Sequence, residues 1–528
     1  LDTRFDSYPL DQPLVQQSRA ILRSESLASV VYRMLREQSD NLPDYRLINR
    51  LGPQATLLAS SQHAIPGLYT QNGYQRLFVA QGNELLQDLL DDNWVLGDSE
   101  RMSSRDLNRL MQEVERLYFA DYANHWADAI ALLNVDPMRD ITQGATQVAG
   151  FGGASSPLLL LLQEVRDNTL FLPNEDLSTP LDQPLASNGR SEVNRALERR
   201  FEPLHRLLDD EGLAGPELTH ALQALDALQV QLAALAHANH PEHSAYQLAR
   251  QRMQGQEDAL QQVRVSASRL PDPVKSWLTR LADDSWALVL ADAHRYINQR
   301  YRSELYSNYR SALESRYPFQ ADSESDVALA DFREFFRAEG VADRFFEQYL
   351  QLFITGSPGQ YRIRQVDGRG LPVSRNFLSQ MGRIQTIRRS FFAENPAEPQ
   401  VQFKLEPYLL DSSLGRANFR IGNQSLEYRH GPIVQSTFRW PMEAEDGRSS
   451  LILEDLGGRR LTLDQNSGPW SLFRLLDQLE VDHHHERDAL ILKANLSGLR
   501  ANYLLHSQRS PNPFDMVQLR GFSLPARL

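Results

Sequence analysis

The residues in this chain best suited to chemistry are its histidines, six of which fall into two groups. His483-His484-His485 is a run of neighbours. Adjacent imidazoles point to opposite faces of a strand and fan apart by about 100° on a helix, so three in a row do not converge on one ion. His485-Glu486 begins like a zincin helix, but the position four residues on, where the second ligand belongs, is Ala489. The run reads as an exposed loop between a helix and the next strand. His237, His240 and His243 straddle Pro241 with no neighbouring group to orient their rings, and neither group is assigned a metal.

Gly144–Gly153 is Gly-rich and precedes a helix opening at Pro157, a setting in which backbone N–H groups can hold a phosphate. It lacks the P-loop Lys, the Gly spacing and a preceding strand, and reads as a flexible connection capped by Ser156. The lysines are Lys275, Lys404 and Lys493, and none adjoins a Gly-rich turn. That excludes P-loop chemistry and argues against a Schiff base. The absence of Cys excludes disulfides, thiolate metal sites and Cys nucleophiles. No Ser sits in G-x-S-x-G, and Gly356-Ser357-Pro358-Gly359 reads as a turn. Acidic residues are plentiful, so an alternative stays open: an envelope enzyme, a carboxylate-based peptidoglycan hydrolase. No cofactor is expected.

The elements that must carry these residues follow from composition and period. A length of 528 residues, 41% hydrophobic and 23% charged, suits a soluble protein of several domains. The net charge of −13 gives no overall attraction to nucleic acid or an anionic membrane, and Arg383, Arg388 and Arg389 read as a solvated helix face. No apolar run approaches the ~18–20 residues that span a bilayer. The chain begins at Leu1 with no signal sequence, which reads as the excised soluble portion of a larger protein.

Residues 1–40 have helical spacing, Tyr45–Ser60 looks strand-like, and helical patterns run from Gly73 to Asp91 and from Ser104 to Leu133. Residues 173–192 are the clearest linker by composition. The runs Leu218–Ala238, Ala245–Ala267 and Val274–Tyr309 predict a helical bundle, followed by helices at Asp331–Arg337 and Val341–Phe353. After residue 396 the period changes from 3.6 to 2. Val401, Phe403 and Leu405 alternate; Gly422-Asn423 and Gly457-Gly458 signal hairpins; one helix, Pro469–Leu479, interrupts the strands.

The predicted fold class is α+β multidomain: a large mostly α-helical region, then a C-terminal β-sandwich-like domain with one helix. The predicted boundaries are a helical domain 1–172, a linker 173–192, a helical bundle or stalk 193–395 and a β-sandwich 396–528. Ile65–Tyr74 is compact, aromatic and rich in turn residues, and reads as a turn stapling its segment to the next helix.

Several segments, in order across nearly the whole chain, resemble the TssM (IcmF-like) component of bacterial type VI secretion systems. They are IPGLYTQNGY (Ile65–Tyr74), DNWVLG (Asp92–Gly97), LYFADYANHW (Leu117–Trp126), SSPLLLLL (Ser155–Leu162) and RYPF (Arg316–Phe319). DFREFFRAEGVADRFFEQYL (Asp331–Leu350), IRRSFF (Ile387–Phe392), YRHGP (Tyr428–Pro432), GPWSLFRLLD (Gly468–Asp477), NPF (Asn512–Phe514) and LRGF (Leu519–Phe522) complete the set. The resemblance implies a structural scaffold and not an enzyme, formed by the periplasmic portion of an inner-membrane protein. Its implied partners are the outer-membrane lipoprotein TssJ, the inner-membrane protein TssL and further copies of itself in a ring-like complex. Nucleic acid is not among them, and membrane contact comes only through segments that this chain lacks. The lipoprotein contact is expected on β-domain loops, at Glu443, Glu445, Asp446, Arg448, His484, Glu486 and Arg487.

Overall fold

The computed structural model describes residue 13 and residues 26–59, 63–79, 104–153, 155–171, 187–442, 447–465, 468–484, 489–508 and 510–528. In chain order the first part holds α1 (Leu27–Gln38), β1 (Leu58–Ala59), α2 (Ser104–Ala131), β2 (Asn134–Val135), α3 (Ile141–Gly152), α4 (Pro157–Thr169), α5 (Ser187–His205) and α6 (Pro216–Ala236). Next come α7 (Pro241–Met253), α8 (Ala259–Ser268) and α9 (Val274–Arg300), the last continued by a π-helical segment, Tyr301–Tyr306, into α10 (Ser307–Ala312). The chain divides into two compact units, residues 1–239 with 257–288 and residues 240–256 with 289–528, and the last of the three crossings falls within α9.

In the first unit, the stretch that carries IPGLYTQNGY is locked to α2 by aromatic side chains. Tyr118 Oη donates to Leu68 O at 2.7 Å and Trp126 Nε1 to Tyr69 O at 2.8 Å, while Tyr122 Oη donates to Asn168 O and ties α2 to α4. Tyr118, Tyr122 and Trp126 are fully buried, so each polar tip satisfies a buried carbonyl while the ring fills the core. Gly73 packs so tightly that a Cβ there would lie 2.2 Å from Gly67 O. The segment is the structural staple that its composition predicts.

Three expectations change. Of the expected strand Tyr45–Ser60, residues 45–59 are not a strand but two 3₁₀ turns, Leu47–Arg50 and Ala55–Leu57, ending in the two-residue β1 paired with β2; Ser60 lies outside the described residues. Gly52-Pro53 interrupts it, and Gly52 holds φ +71°. The Gly-rich connection is mostly helix. Gly144, Gly150 and Gly152 lie in α3, which packs on α6, and Asp140 caps it by accepting from Gln143 N–H at 2.8 Å. Small residues there let helices approach closely, a reason that tertiary packing alone supplies. Finally, Ile141–Thr169 contains an 18-residue stretch with a mean hydropathy of 1.3, apolar and long enough by composition to cross a membrane. It is two helices, α3 and α4, broken between Gly152 and Pro157, and Val148, Phe151, Leu158, Leu161 and Val165 are buried in the first unit.

In the second unit, α11 (Leu329–Phe336), α12 (Val341–Phe345), the short hairpin β3 (Ile354–Thr355) and β4 (Arg362–Ile363), and α13 (Arg375–Phe391) lead into the sandwich. Its strands are β5 (Val401–Leu410), β6 (Leu414–Ile421), β7 (Gln424–Tyr428), β8 (Ser436–Trp440), β9 (Ser449–Asp455) and β10 (Arg460–Gln465). After α14 (Ser471–Leu476) come β11 (Glu480–His484), β12 (Ala489–Leu496) and β13 (Leu499–Ser507), and α15 (Val517–Arg520) closes the chain. Two antiparallel sheets form, ordered β10-β9-β6-β7 and β11-β12-β13-β5-β8. Phe419 and Tyr503, both buried, meet edge to face at 5.2 Å between them. The Gly422-Asn423 hairpin forms as predicted, with Ile421 opposite Gln424.

His483 and His484 are strand residues, contrary to the loop expected for them: they pair with Leu490 and Ala489. Glu480–His484 is polar and lacks a buried alternating face, so only the backbone partners supplied by β12 make it a strand.

Candidate partner-binding surface

The recognised aromatic motifs of the second unit converge on one core shared by the helices and the sandwich. Trp470 is fully buried, donates through Nε1 to Val327 O at 2.7 Å, and lies 5.0 Å from Trp440, 5.2 Å from Phe473 and 5.4 Å from Phe332. Phe522 packs on Phe336 at 5.4 Å and on Phe319 at 5.6 Å. Beside this core, Tyr317 donates to Asp477 at 2.7 Å with the guanidiniums of Arg474 and Arg520 over its ring at 3.9 and 4.9 Å. Arg474 also pairs with Asp326, and Arg520 with Asp477 at 2.5 Å. Whatever surface the sandwich presents is thus held by the helices as one packed body.

That surface has exposed edges. β7 and β8 border the two sheets, and Gln424 from β7 with Thr437 and Arg439 from β8 line a groove of about 510 Å³ between them. Along β8, Phe438 and Trp440 face the core while Thr437 and Arg439 face out, the polar outer face typical of a managed edge. The connection from β7 to β8, Arg429–Gln435, is exposed throughout. His430 Nε2 lies 2.7 Å from Leu414 O, and Gln435 Nε2 donates to Glu406 Oε2 at 2.7 Å, so both ends of the loop are tied down. Between these anchors Ile433 and Val434 are 54% and 63% exposed. On the neighbouring end of β5, Tyr408 and Leu409 are exposed too.

Of the contact residues expected from sequence, Glu443, Glu445, Asp446, Glu486 and Arg487 lie outside the described residues. Arg448 pairs with Asp464, with Nε 2.9 Å from Oδ1, and its carbonyl accepts from Gly422 N–H at 2.8 Å. His484 sits on β11, in the other sheet, with its ring 6.2 Å from that of Tyr408. The structure therefore places Arg448 beside one sheet and His484 on the other. The Ile433-Val434 tip was missed. Its signal was a pair of aliphatic residues placed directly after Gly431-Pro432, where a turn and not a core is expected.

Among the described residues, the groups with shifted protonation are mostly buried tyrosines. The largest shifts fall on tyrosines raised by burial, among them Tyr32, Tyr118, Tyr122 and Tyr317; Tyr246 and Tyr349 are raised less, to about 12, and all stay neutral hydrogen-bonding core residues. His205 is pushed down to about 4 by burial and then by the Arg166 charge. Among the described residues no group of three or more His, Asp or Glu is placed to hold a metal. His237 Nδ1 lies 2.9 Å from Ala233 O, and His243 packs against Tyr296 at 4.9 Å.

Three family models match successive stretches of the chain. Residues 1–170 match "IcmF-related: Intracellular multiplication and human macrophage-killing", residues 292–397 the type VI secretion protein IcmF helical domain, and residues 403–509 the type VI secretion protein IcmF C2-like domain. The chain is 29% identical over its whole length to type VI secretion system component TssM1 of Pseudomonas aeruginosa, and it spans about half the length of that relative. It superposes on a chain of a type VI secretion system membrane core complex with a TM-score of 0.71, at 20% identity, covering 95% of this chain and 99% of that one. A chain of a type VI membrane complex gives a TM-score of 0.66 at 19% identity, covering 97% of this chain and 94% of that one. The sequence motifs, the helical and sandwich architecture and these matches agree: the chain belongs to the TssM (IcmF) family of type VI secretion proteins.

Proposed function

We propose that this chain is a periplasmic scaffold of a type VI secretion membrane complex, linking the inner membrane to the outer-membrane lipoprotein TssJ through its β-sandwich. In this reading TssL and further copies of the same protein complete the assembly, and the chain performs no reaction. The observation that carries the reading is the anchored loop Arg429–Gln435, which offers Ile433 and Val434 to a partner from a sandwich packed into the helical core. A scaffold under load needs such a joint, because a sandwich on a loose tether could not hold its partner in register with the helices.

The test is lipoprotein binding by the whole chain carrying Ile433→Glu and Val434→Glu. Burying two aliphatic side chains contributes roughly 1.5–3 kcal/mol each, so calorimetry should show affinity weakened by at least about tenfold. Unchanged affinity would remove the contact from this loop. If the unaltered chain does not bind the lipoprotein at all, the scaffold reading itself fails. Protease sensitivity in spheroplasts but not in intact cells checks the periplasmic assignment.

A further inference from the structure

Beside α13 lies a groove of about 660 Å³, none of whose lining residues belongs to the sandwich loop Arg429–Gln435. Arg362 from β4 and Arg375 and Arg383 from α13 line it, together with Tyr361, Ser379 and Gln518, and no carboxylate does. Among the described residues none of these three arginines pairs with an acid. The local sequence is just as one-sided. Between positions 359 and 389 the chain has arginines at 362, 364, 369, 375, 383, 388 and 389 and one acidic residue, Asp367, in a protein whose net charge is −13. Asp367 is bonded to Arg252, and Arg388 to Asp343 at 2.6 Å, so neither Asp367 nor Asp343 is left to neutralise the groove.

The arginines expected to form one solvated helix face therefore divide. Arg388 is largely buried in an ion pair, whereas Arg383 is set in position over the groove. Its Nη1 donates to Val517 O at 3.0 Å, and Gly521 makes room for it: a Cβ there would lie 1.8 Å from that nitrogen. A guanidinium has five N–H donors, and one bond to Val517 leaves most of Arg383's to point elsewhere. Holding the group in place in advance lowers the entropy lost when a ligand binds.

Spacing indicates what kind of anion fits. Arg375 and Arg383 are eight residues apart on one helix, about 12 Å along its axis, and the groove reaches on to Thr386. A single phosphate bridging two of these guanidiniums would leave the rest of the groove's length unfilled. An extended chain rises about 3.3 Å per residue, so side chains four residues apart on one face are about 13 Å apart. We propose that this groove binds an acidic segment of a partner protein in extended form, with carboxylates on alternate residues. Guanidinium groups take carboxylates as two-pronged bonds, and Tyr361, Ser379 and Gln518 are placed to bond the peptide groups between them. The site is separate from the sandwich loop, so its failure and the failure of the lipoprotein reading are independent.

The test uses the whole chain and a fluorescein-labelled decapeptide of alternating Glu and Ser, read by fluorescence anisotropy. Binding should weaken by about tenfold or more when Gln replaces Glu in the peptide, and likewise in the Arg362→Glu/Arg375→Glu variant, whose two sites are exposed and whose fold circular dichroism verifies. Arg369→Glu, exposed and outside the groove, should change it by less than about twofold. Adding Arg383→Glu should weaken it further. Equal binding of the Gln peptide, or undiminished binding by the double variant, would overturn the proposal. Competition by inorganic phosphate as effective as that by the peptide would replace it with a small-anion site. Sedimentation showing self-association that the double variant abolishes would assign the groove to a second copy instead.

Discussion

Replacing Trp470 by Ala empties the centre of the core that the helices and the sandwich share. The side chain is 0% exposed, with the rings of Trp440, Phe332 and Phe473 all within 5.4 Å. Truncating a buried Trp costs about 3–5 kcal/mol. The loss also leaves Val327 O, which accepts from the indole at 2.7 Å, without that partner in a buried site, a further cost of about 1–3 kcal/mol that overlaps the first. Trp470→Phe keeps most of the packing and loses the hydrogen bond, so about 1–2 kcal/mol is expected. Hydrogen exchange in graded urea, followed at α11 and at β12, reads both halves of the unit in one experiment. With a shared core, Trp470→Ala should lower protection in both by the same amount. Loss confined to β12 would show that the helices stand without the sandwich, and the idea of a welded joint would fail. If the Phe variant cost as much as the Ala variant, the hydrogen bond and not the packing would be the dominant contribution.

Two further outcomes follow from buried charge and from a displaced titration. Asp343 accepts from Arg388 at 2.6 Å and from Glu339 N–H at 3.0 Å, with both charged side chains largely buried, so Asp343→Asn should cost about 3–5 kcal/mol by stranding the guanidinium. The Asp343→Leu/Arg388→Met double variant should cost less than that single change in a urea-denaturation cycle, and an equal or larger cost would contradict the reasoning. His205, held at about 4 when folded, has an ordinary value near 6.5 when unfolded. As pH falls below about 6.5 the unfolded chain gains a proton that the folded chain refuses until about 4. Stability is therefore lost across that window and is unaffected by this group above it. Because the ring is partly exposed, the loss is discounted to about 1–2 kcal/mol. The fall in melting temperature between pH 7 and pH 4.5 should be smaller in His205→Gln than in the parent, and an identical fall would count against it.

Elements whose signal is carried within a few residues are legible in the sequence. The Gly422-Asn423 hairpin, the alternation of Val401, Phe403 and Leu405, the α2 stripe through Tyr118, Tyr122 and Trp126, and the staple at Ile65–Tyr74 all depend on neighbours along the chain. The Gly-rich Gly144–Gly152 and the histidines of β11 mislead because their conformations are set by partners far along the chain, α6 for one and β12 for the other. The candidate surface is legible only as a domain. Which of its residues are exposed together depends on strand order, which puts Arg448 and His484 on different sheets and leaves Ile433 and Val434 at the tip of an anchored loop.

Sequence by itself determined the residue inventory: no Cys, three lysines away from any Gly-rich turn, and motifs of Trp, Tyr, Phe, Gly and Pro in an order that marks the family. Such an inventory limits chemistry, because a reaction cannot use groups that the chain does not contain. Tertiary structure decided what the motifs are for. RYPF, DFREFF, IRRSFF, GPWSLF, NPF and LRGF, spread over some two hundred positions, meet in one buried core, and Arg362, Arg375 and Arg383 meet over one open groove. The reason is that burial and electrostatic fields act through space, whereas periodicity is read only along the chain.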